Sequence, residues 1–192
     1  MDRERESPDY YIERTEESIP NTIKLIEYIR SLSPSKGTFS NSVPDPSEPH
    51  TKFSPDGTPF IYPVLTPRFA ISTTERLIES LGKLAASDPS LAIQTHISEN
   101  PAEVEHTKKL YSHLSTPGKP ITYAGVYDHY GLLRDNTILA HAVHLEEEEL
   151  ELVKERGSGI SHCPTSNFNL TSGMAKVGVM LDKSIKVGSF AS

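Results

Sequence analysis

Residues 91–100 read LAIQTHISEN. An apolar run from Leu91 to Ile93 delivers His96, and Glu99 follows three residues later. A short apolar run bounded by polar residues predicts a strand. Asn100 then has the character of a helix cap, with Pro101 at the first helical position and Glu103 at the third. The stretch therefore reads as a strand running into a helix, with an imidazole and a carboxylate at the junction. Taken alone, it reads equally well as an ordinary strand end with a polar tail.

The same grammar repeats on both sides. Upstream, FIYPVL (residues 60–65) is a short apolar strand that Pro63 makes irregular. STTERLIESLGKLAAS (72–87) follows as a helix, with Ser72 and Glu75 at capping-box spacing and Leu77, Ile78, Leu81, Leu84 and Ala85 as its buried face. Val104, Tyr111 and Leu114 give the helix after Asn100 its apolar face. Downstream, TILAHAV (137–143) is a third strand, Leu145–Arg156 a helix stopped at Gly157, and GISHCP the start of a fourth strand. Residues 171–183 are weakly helical, and SIKVG (184–188) reads as a fifth strand. Thr15–Ser31 forms an earlier helix, with Ile19, Ile23, Ile26 and Ile29 on one stripe. Pro20 belongs in a first turn, so that helix is expected to begin as late as Ser18.

Strand and helix alternate, and the strands read as apolar throughout rather than alternating. That predicts an α/β fold with a parallel sheet buried on both faces. In such folds chemistry gathers at the carboxyl ends of the strands. Arg68, His96 with Glu99, His141, and the run from His162 to Asn167 all fall there.

Residues 33–59 contrast with everything else. They hold six prolines and two glycines, many serines and no apolar period. A segment with no apolar face to offset the entropy of ordering is expected to be disordered. The composition agrees, since only 35% of the 192 residues are hydrophobic and there is no tryptophan.

The net charge of -7 opposes binding to nucleic acid or to an anionic membrane. No apolar run approaches the ~18 residues of a membrane span, and MDRERESPDYY is too charged for a secretory signal. Cys163 is the only cysteine, which excludes an internal disulfide and fits a reducing, cytoplasmic setting.

His96 and His141 together suggest a metal site. Imidazole suits zinc, and a catalytic zinc site takes about three protein ligands plus a position for water. Two histidines behind neighbouring strands can converge on one ion, although each could equally be a satisfied core or loop residue. Glu99 is the candidate proton carrier, because a carboxylate that does not ligate the metal can take a proton from the activated water. Arg68 in TPRF could bond a substrate carbonyl, and Phe69 could stack on a planar ring. Cys163 reads as a small buried residue at a proline turn, and His162 as a wall residue rather than a ligand. The glutamates at 146–149 read as a solvated first helical turn.

VLTPRF, QTHISEN, LAHAVHL, SHCPTSNFNL and KVG occur in that order, and the set resembles the guanine deaminases, zinc aminohydrolases of the amidohydrolase superfamily. The resemblance runs from about Thr15 to Gly188, interrupted by the proline-rich insertion, and leaves residues 189–192 outside the family pattern. It implies a (β/α)8 barrel of the TIM type, of which this chain covers strands four to eight. It implies that His96 and His141 are zinc ligands, Glu99 the proton shuttle, and Arg68 and Phe69 the residues holding the purine. The implied reaction is hydrolysis of guanine at ring carbon 2 to xanthine and ammonia, a step of purine catabolism, carried out by a cytoplasmic homodimer.

The family pattern also has two histidines one residue apart before Arg68 and an aspartate after the last strand. Neither occurs here; Ser192 stands where the aspartate would fall. A truncated chain, inactive in isolation, is therefore expected. Two alternatives remain open: an aminohydrolase for another purine or a pterin, and a non-catalytic partial barrel that associates with a full-length partner.

Overall fold

The structure, a computed structural model, describes residue 10 and residues 12–31 and 61–189. The proline-rich stretch at 33–59, expected to be disordered, lies outside the described residues, as do residues 190–192. The chain divides into two compact units. One runs up to Ile19 and resumes at Val64; the other covers residues 20–63.

The larger unit is a five-stranded parallel sheet: β1 (Val64–Leu65), β2 (Ala92–Ile97), β3 (Thr137–His141), β4 (Gly159–His162) and β5 (Lys186–Ser189). Their spatial order is their chain order, and each neighbouring pair is parallel. A doubly wound sheet reverses its order at a switch point; this one does not. With right-handed crossovers, unbroken order carries every connecting helix to the same side. That is the arrangement of consecutive strands in a (β/α)8 barrel, as expected.

The connections are α2 (Glu75–Ser87), then α3 (Pro101–Leu110) and α4 (Tyr123–His129), then α5 (Glu147–Arg156), and finally α6 (Pro164–Asn169) and α7 (Val177–Asp182). α1 (Thr15–Ser31) precedes them. It begins three residues earlier than Pro20 suggests, so the proline sits inside the helix. Among the described residues no helix is long and apolar enough to cross a membrane.

The expectation of strands buried on both faces is corrected. In β2, Ile93, Thr95 and Ile97 are buried while Gln94 is exposed and His96 half-buried. In β3, Leu139 is fully buried and Ile138 is 46% exposed. The sheet therefore packs one face and leaves the other open. The packed face is the core. Leu65, Ile93, Ile97, Leu139 and Ile160 are buried on the strands, as are Leu77, Ile78, Leu81, Val104, Leu150 and Val153 on the helices. Each such side chain contributes about 1.5–3 kcal/mol by leaving water.

Local details differ from the sequence reading where tertiary contacts intervene. α2 is capped by Thr74, whose hydroxyl accepts from Leu77 N–H at 3.2 Å; Ser72 instead ends a short 3₁₀ turn, Ala70–Ser72. α4 was not foreseen in the loop after α3. It is only seven residues long, capped by Thr122, and buries Tyr123, Ala124, Val126 and Tyr127. The glutamate run is not wholly solvated. Glu149 is buried, accepting from Glu146 N–H and Ala124 N–H at 2.9 Å each. Gly157 does stop α5, at a left-handed φ of 71°.

Candidate active site

β2 and β3 set the site by register: His96 lies beside Ala140, and Ile97 beside His141. The two imidazoles stack, with ring centroids 5.1 Å apart and planes inclined by 23°. Both line a cavity of about 650 Å³ on the open face of the sheet, with Gln94, Ser161, Cys163, Ser166 and Lys186 among its other walls.

Each imidazole is held by Nδ1. His96 Nδ1 lies 2.6 Å from the Arg68 carbonyl oxygen. A carbonyl can only accept, so that nitrogen carries the proton and Nε2 keeps its lone pair. The Arg68 carbonyl also accepts from His96 N–H at 2.9 Å. Burial lowers the His96 pKa from its ordinary value; the hydrogen bond to the Arg68 carbonyl opposes this, while His141 and the Arg68 charge add to the lowering. A neutral ring is the form that can donate to a metal. His141 Nδ1 lies 2.8 Å from Asn167 Oδ1 and 3.5 Å from Glu99 Oε1.

Glu99 follows a left-handed residue, Ser98, with φ 49°. The capping box of α3 fixes its backbone: Glu103 accepts from Glu99 N–H at 3.1 Å and from Asn100 N–H at 3.4 Å, and Asn100 Oδ1 accepts from Glu103 N–H at 2.9 Å. This is the cap predicted from sequence. Ser172 Oγ stands 3.5 Å from Glu99 Oε1. The backbone carbonyl of Ser172 accepts from His144 Nε2 at 2.7 Å, which ties the loop after α6 to the end of β3.

Arg68 and Phe69 lie beside the cavity rather than in its wall. The Phe69 ring meets His96 edge to face at 5.7 Å, and the Arg68 guanidinium carbon sits 5.5 Å from the Phe69 centroid. Their loop is tied to β2 by Tyr127 of α4. The buried Tyr127 hydroxyl accepts from Ala70 N–H at 3.0 Å and from Thr95 Oγ1 at 2.8 Å, and donates to the His96 carbonyl at 2.8 Å. Burial raises the Tyr127 pKa above the usual phenol range, so it stays protonated.

His96, His141 and Glu99 thus come together, with Arg68 and Phe69 against His96. Cys163 is only half-buried and caps α6, its Sγ 3.3 Å from the Ser161 carbonyl. His162 ends β4 outside the cavity wall, and its buried Nδ1 has no partner among the described residues. Sequence reasoning assigned no role to Asn167, Ser172 or Tyr127. Their parts depend on tertiary contacts 26 to 73 residues away in the chain. The one available signal was that Asn167 fell among strand-end polar residues.

As a metal centre the donor set fits in part. Two imidazoles with Nδ1 engaged and Nε2 free are what zinc takes. Among the described residues no group of three or more His, Cys, Asp or Glu side chains is placed to hold an ion.

The chain is 44% identical over 183 residues to a probable guanine deaminase of Schizosaccharomyces pombe, covering 95% of this chain and 29% of that protein. Its fold matches the crystal structure of guanine deaminase from C. acetobutylicum with guanine bound. The TM-score is 0.76 at 31% identity, over 98% of this chain and 38% of that one. The E. coli guanine deaminase structure matches with a TM-score of 0.75 at 29% identity, over 100% of this chain and 37% of that one. The chain therefore spans about a third of the length of the proteins it matches. Residues 8–190 match the profile of the amidohydrolase family, and with it the parallel sheet and the histidines at its strand ends are accounted for: this chain belongs to the amidohydrolase family.

Proposed function

We propose that this chain carries active-site residues of a zinc-dependent guanine deaminase, which hydrolyses guanine to xanthine and ammonia. The observation that carries the reading is the pair of stacked imidazoles, His96 and His141, with the Glu99 carboxylate 3.5 Å from the second ring. The similarity to guanine deaminases over nearly the whole chain supports the choice of substrate.

His96 and His141 would hold zinc through Nε2, together with donors beyond the described residues. Bound there, zinc supplies a Lewis acid that lowers the pKa of a coordinated water to about 7. Glu99 takes a proton from the attacking water. The water oxygen bonds to ring carbon 2 while Glu99 delivers that proton to the adjacent ring nitrogen; the second water proton then passes to the exocyclic amino group, the bond from carbon 2 to that nitrogen breaks, and ammonia leaves. Arg68 donates to the guanine carbonyl, and Phe69 offers a face for the ring. The burial that lowers the His96 pKa favours the neutral ring, the form that can donate to a metal.

The test is release of ammonia and xanthine from guanine. It is run on the protein with zinc supplied, and on a full-length guanine deaminase in which residues 61–189 replace the matching segment. The graft should turn over guanine in preference to adenine or a pterin. Glu99→Gln within it should leave zinc content unchanged and lower turnover by about 10²–10⁴-fold, the usual contribution of a general acid–base group. A graft that folds and holds zinc yet releases no ammonia from guanine would overturn the reading.

A further inference from the structure

Strand alternation alone would point His141 away from the cavity. In β3, Thr137 and Leu139 face the packed side, while Ile138, which is exposed, and Ala140 line the cavity. By parity His141 belongs with the buried set, and its ladder partner Ile97 is fully buried. Its ring nevertheless stacks on His96 in the cavity wall.

The backbone makes this reversal. His141 and the next residue, Ala142, have φ of 71° and 52°, a left-handed conformation that L side chains rarely adopt. Ala142 N–H donates to the Ile97 carbonyl, and Val143 and His144 N–H donate to the Ser98 carbonyl, all within 3.1 Å. Those bonds hold the chain. They do not orient the imidazole.

The group that can orient it is Asn167, at 1% exposure on α6 of the neighbouring strand–helix unit. Its Oδ1 is 2.8 Å from His141 Nδ1, and Glu99 Oε1 is 3.5 Å from the same nitrogen. A carboxylate oxygen beside Nδ1 favours a proton there, and a proton there requires the amide oxygen, not its NH2, to face the ring. Asn167 Nδ2 is then buried with no hydrogen-bond partner among the described residues. A buried amide left half-satisfied is unfavourable as scaffolding alone. Its one satisfied end is the end on His141.

We propose that Asn167 is a positioning residue. It holds the His141 imidazole turned into the cavity, with the proton on Nδ1 and the Nε2 lone pair presented to a divalent cation. The metal consequence rests on the zinc reading above; the orientation and tautomer do not.

The experiment uses the 192-residue protein labelled with 15N-histidine and freed of metal. At a pH of about 8, where imidazole is neutral, ring-nitrogen shifts report the tautomer of His141. Zinc alone is then titrated in. The wild type and Asn167→Asp, which keeps an acceptor oxygen, should show His141 protonated on Nδ1. Asn167→Leu should lose that tautomer and bind zinc about 10–100-fold more weakly, the usual effect of removing a ligand's hydrogen-bond partner. The His96 signals should stay the same in all three, which separates a local effect from unfolding. Should Asn167→Leu unfold, Asn167→Ala makes the same contrast. A His141 that carries its proton on Nε2 in the wild type, or keeps it on Nδ1 when the acceptor is gone, overturns the proposal. If the tautomers behave as expected but the wild type takes up no zinc, the zinc reading falls and the positioning role stands.

Discussion

His96 lies within β2 and obeys its alternation; His141 ends β3 and breaks it. The first keeps regular strand backbone, and its Nδ1 is held by a backbone carbonyl, that of Arg68. The second is left-handed, and its Nδ1 is held by a side chain, that of Asn167. Both arrive at stacked rings on one cavity. An anchor made by backbone is insensitive to the side chain at that position. An anchor made by a side chain is lost with one substitution. The difference therefore predicts where mutations are felt, and on which ring.

Tyr127→Phe should have the largest effect on stability among the changes that test this contrast. The hydroxyl it removes serves Ala70 N–H, Thr95 Oγ1 and the His96 carbonyl together, inside the core. Leaving buried groups unsatisfied costs about 1–3 kcal/mol, visible as a lower denaturant midpoint. The disturbance belongs to the His96 side, where the TPRF loop meets β2. The His141 ring signals should be unmoved. A shift confined to His141 would show that the two anchors are not separate.

The backbone difference is tested by paired substitutions to Ala and to Gly at each histidine. At position 96, glycine should be the less stable of the two by about 0.5–1 kcal/mol, because it loses more freedom in a strand. At position 141 the order should invert, since alanine must bear a left-handed conformation that costs an L residue about 1–2 kcal/mol. Using alanine as the reference cancels the loss of the imidazole itself. Unfolding midpoints with the same sign at both positions would mean that His141 carries no backbone strain.

How much of this contrast could be read in advance depends on the range of the interaction. The strand–helix alternation, the Asn100–Glu103 cap and the Gly157 stop are local, and the structure contains each of them. His96 and Glu99 sit where an apolar strand ends, which the sequence displays. Gln94 in the middle of LAIQTHI was the sign that one face of β2 is open, and it was outweighed by the apolar residues around it. α4 was missed because seven residues give less than two full helical periods. Tyr123 and Tyr127, four apart behind Thr122, were its only pattern. Glu149 looked solvated within a run of glutamates, yet its partners include Ala124 N–H, on a helix the sequence did not reveal. The left-handed turn at His141 has no clear residue signature, because histidine is enriched in that conformation but still uncommon there, and the alanine that shares it is not enriched. It is imposed by the three bonds to Ile97 and Ser98 across the sheet.

Ser98 gives the most specific test, because β2 makes its own left-handed turn one residue past the strand, at φ 49°. Here the strained residue is neither histidine nor Glu99. Its side-chain oxygen is buried without a hydrogen-bond partner among the described residues. Ser98→Gly removes that unsatisfied hydroxyl and frees the backbone from the left-handed penalty. Against this, glycine adds entropy to the unfolded chain, about 0.5–1 kcal/mol. The balance favours the variant, by about 1 kcal/mol, read as a higher midpoint in urea with an unchanged slope. The Ser98 carbonyl, which accepts from Val143 and His144 N–H, is untouched by the change. The β3 turn and the His141 ring should therefore hold their positions. A destabilised Ser98→Gly would mean that the hydroxyl does have a partner in the folded protein. That would make the end of β2, like the end of β3, dependent on a side chain.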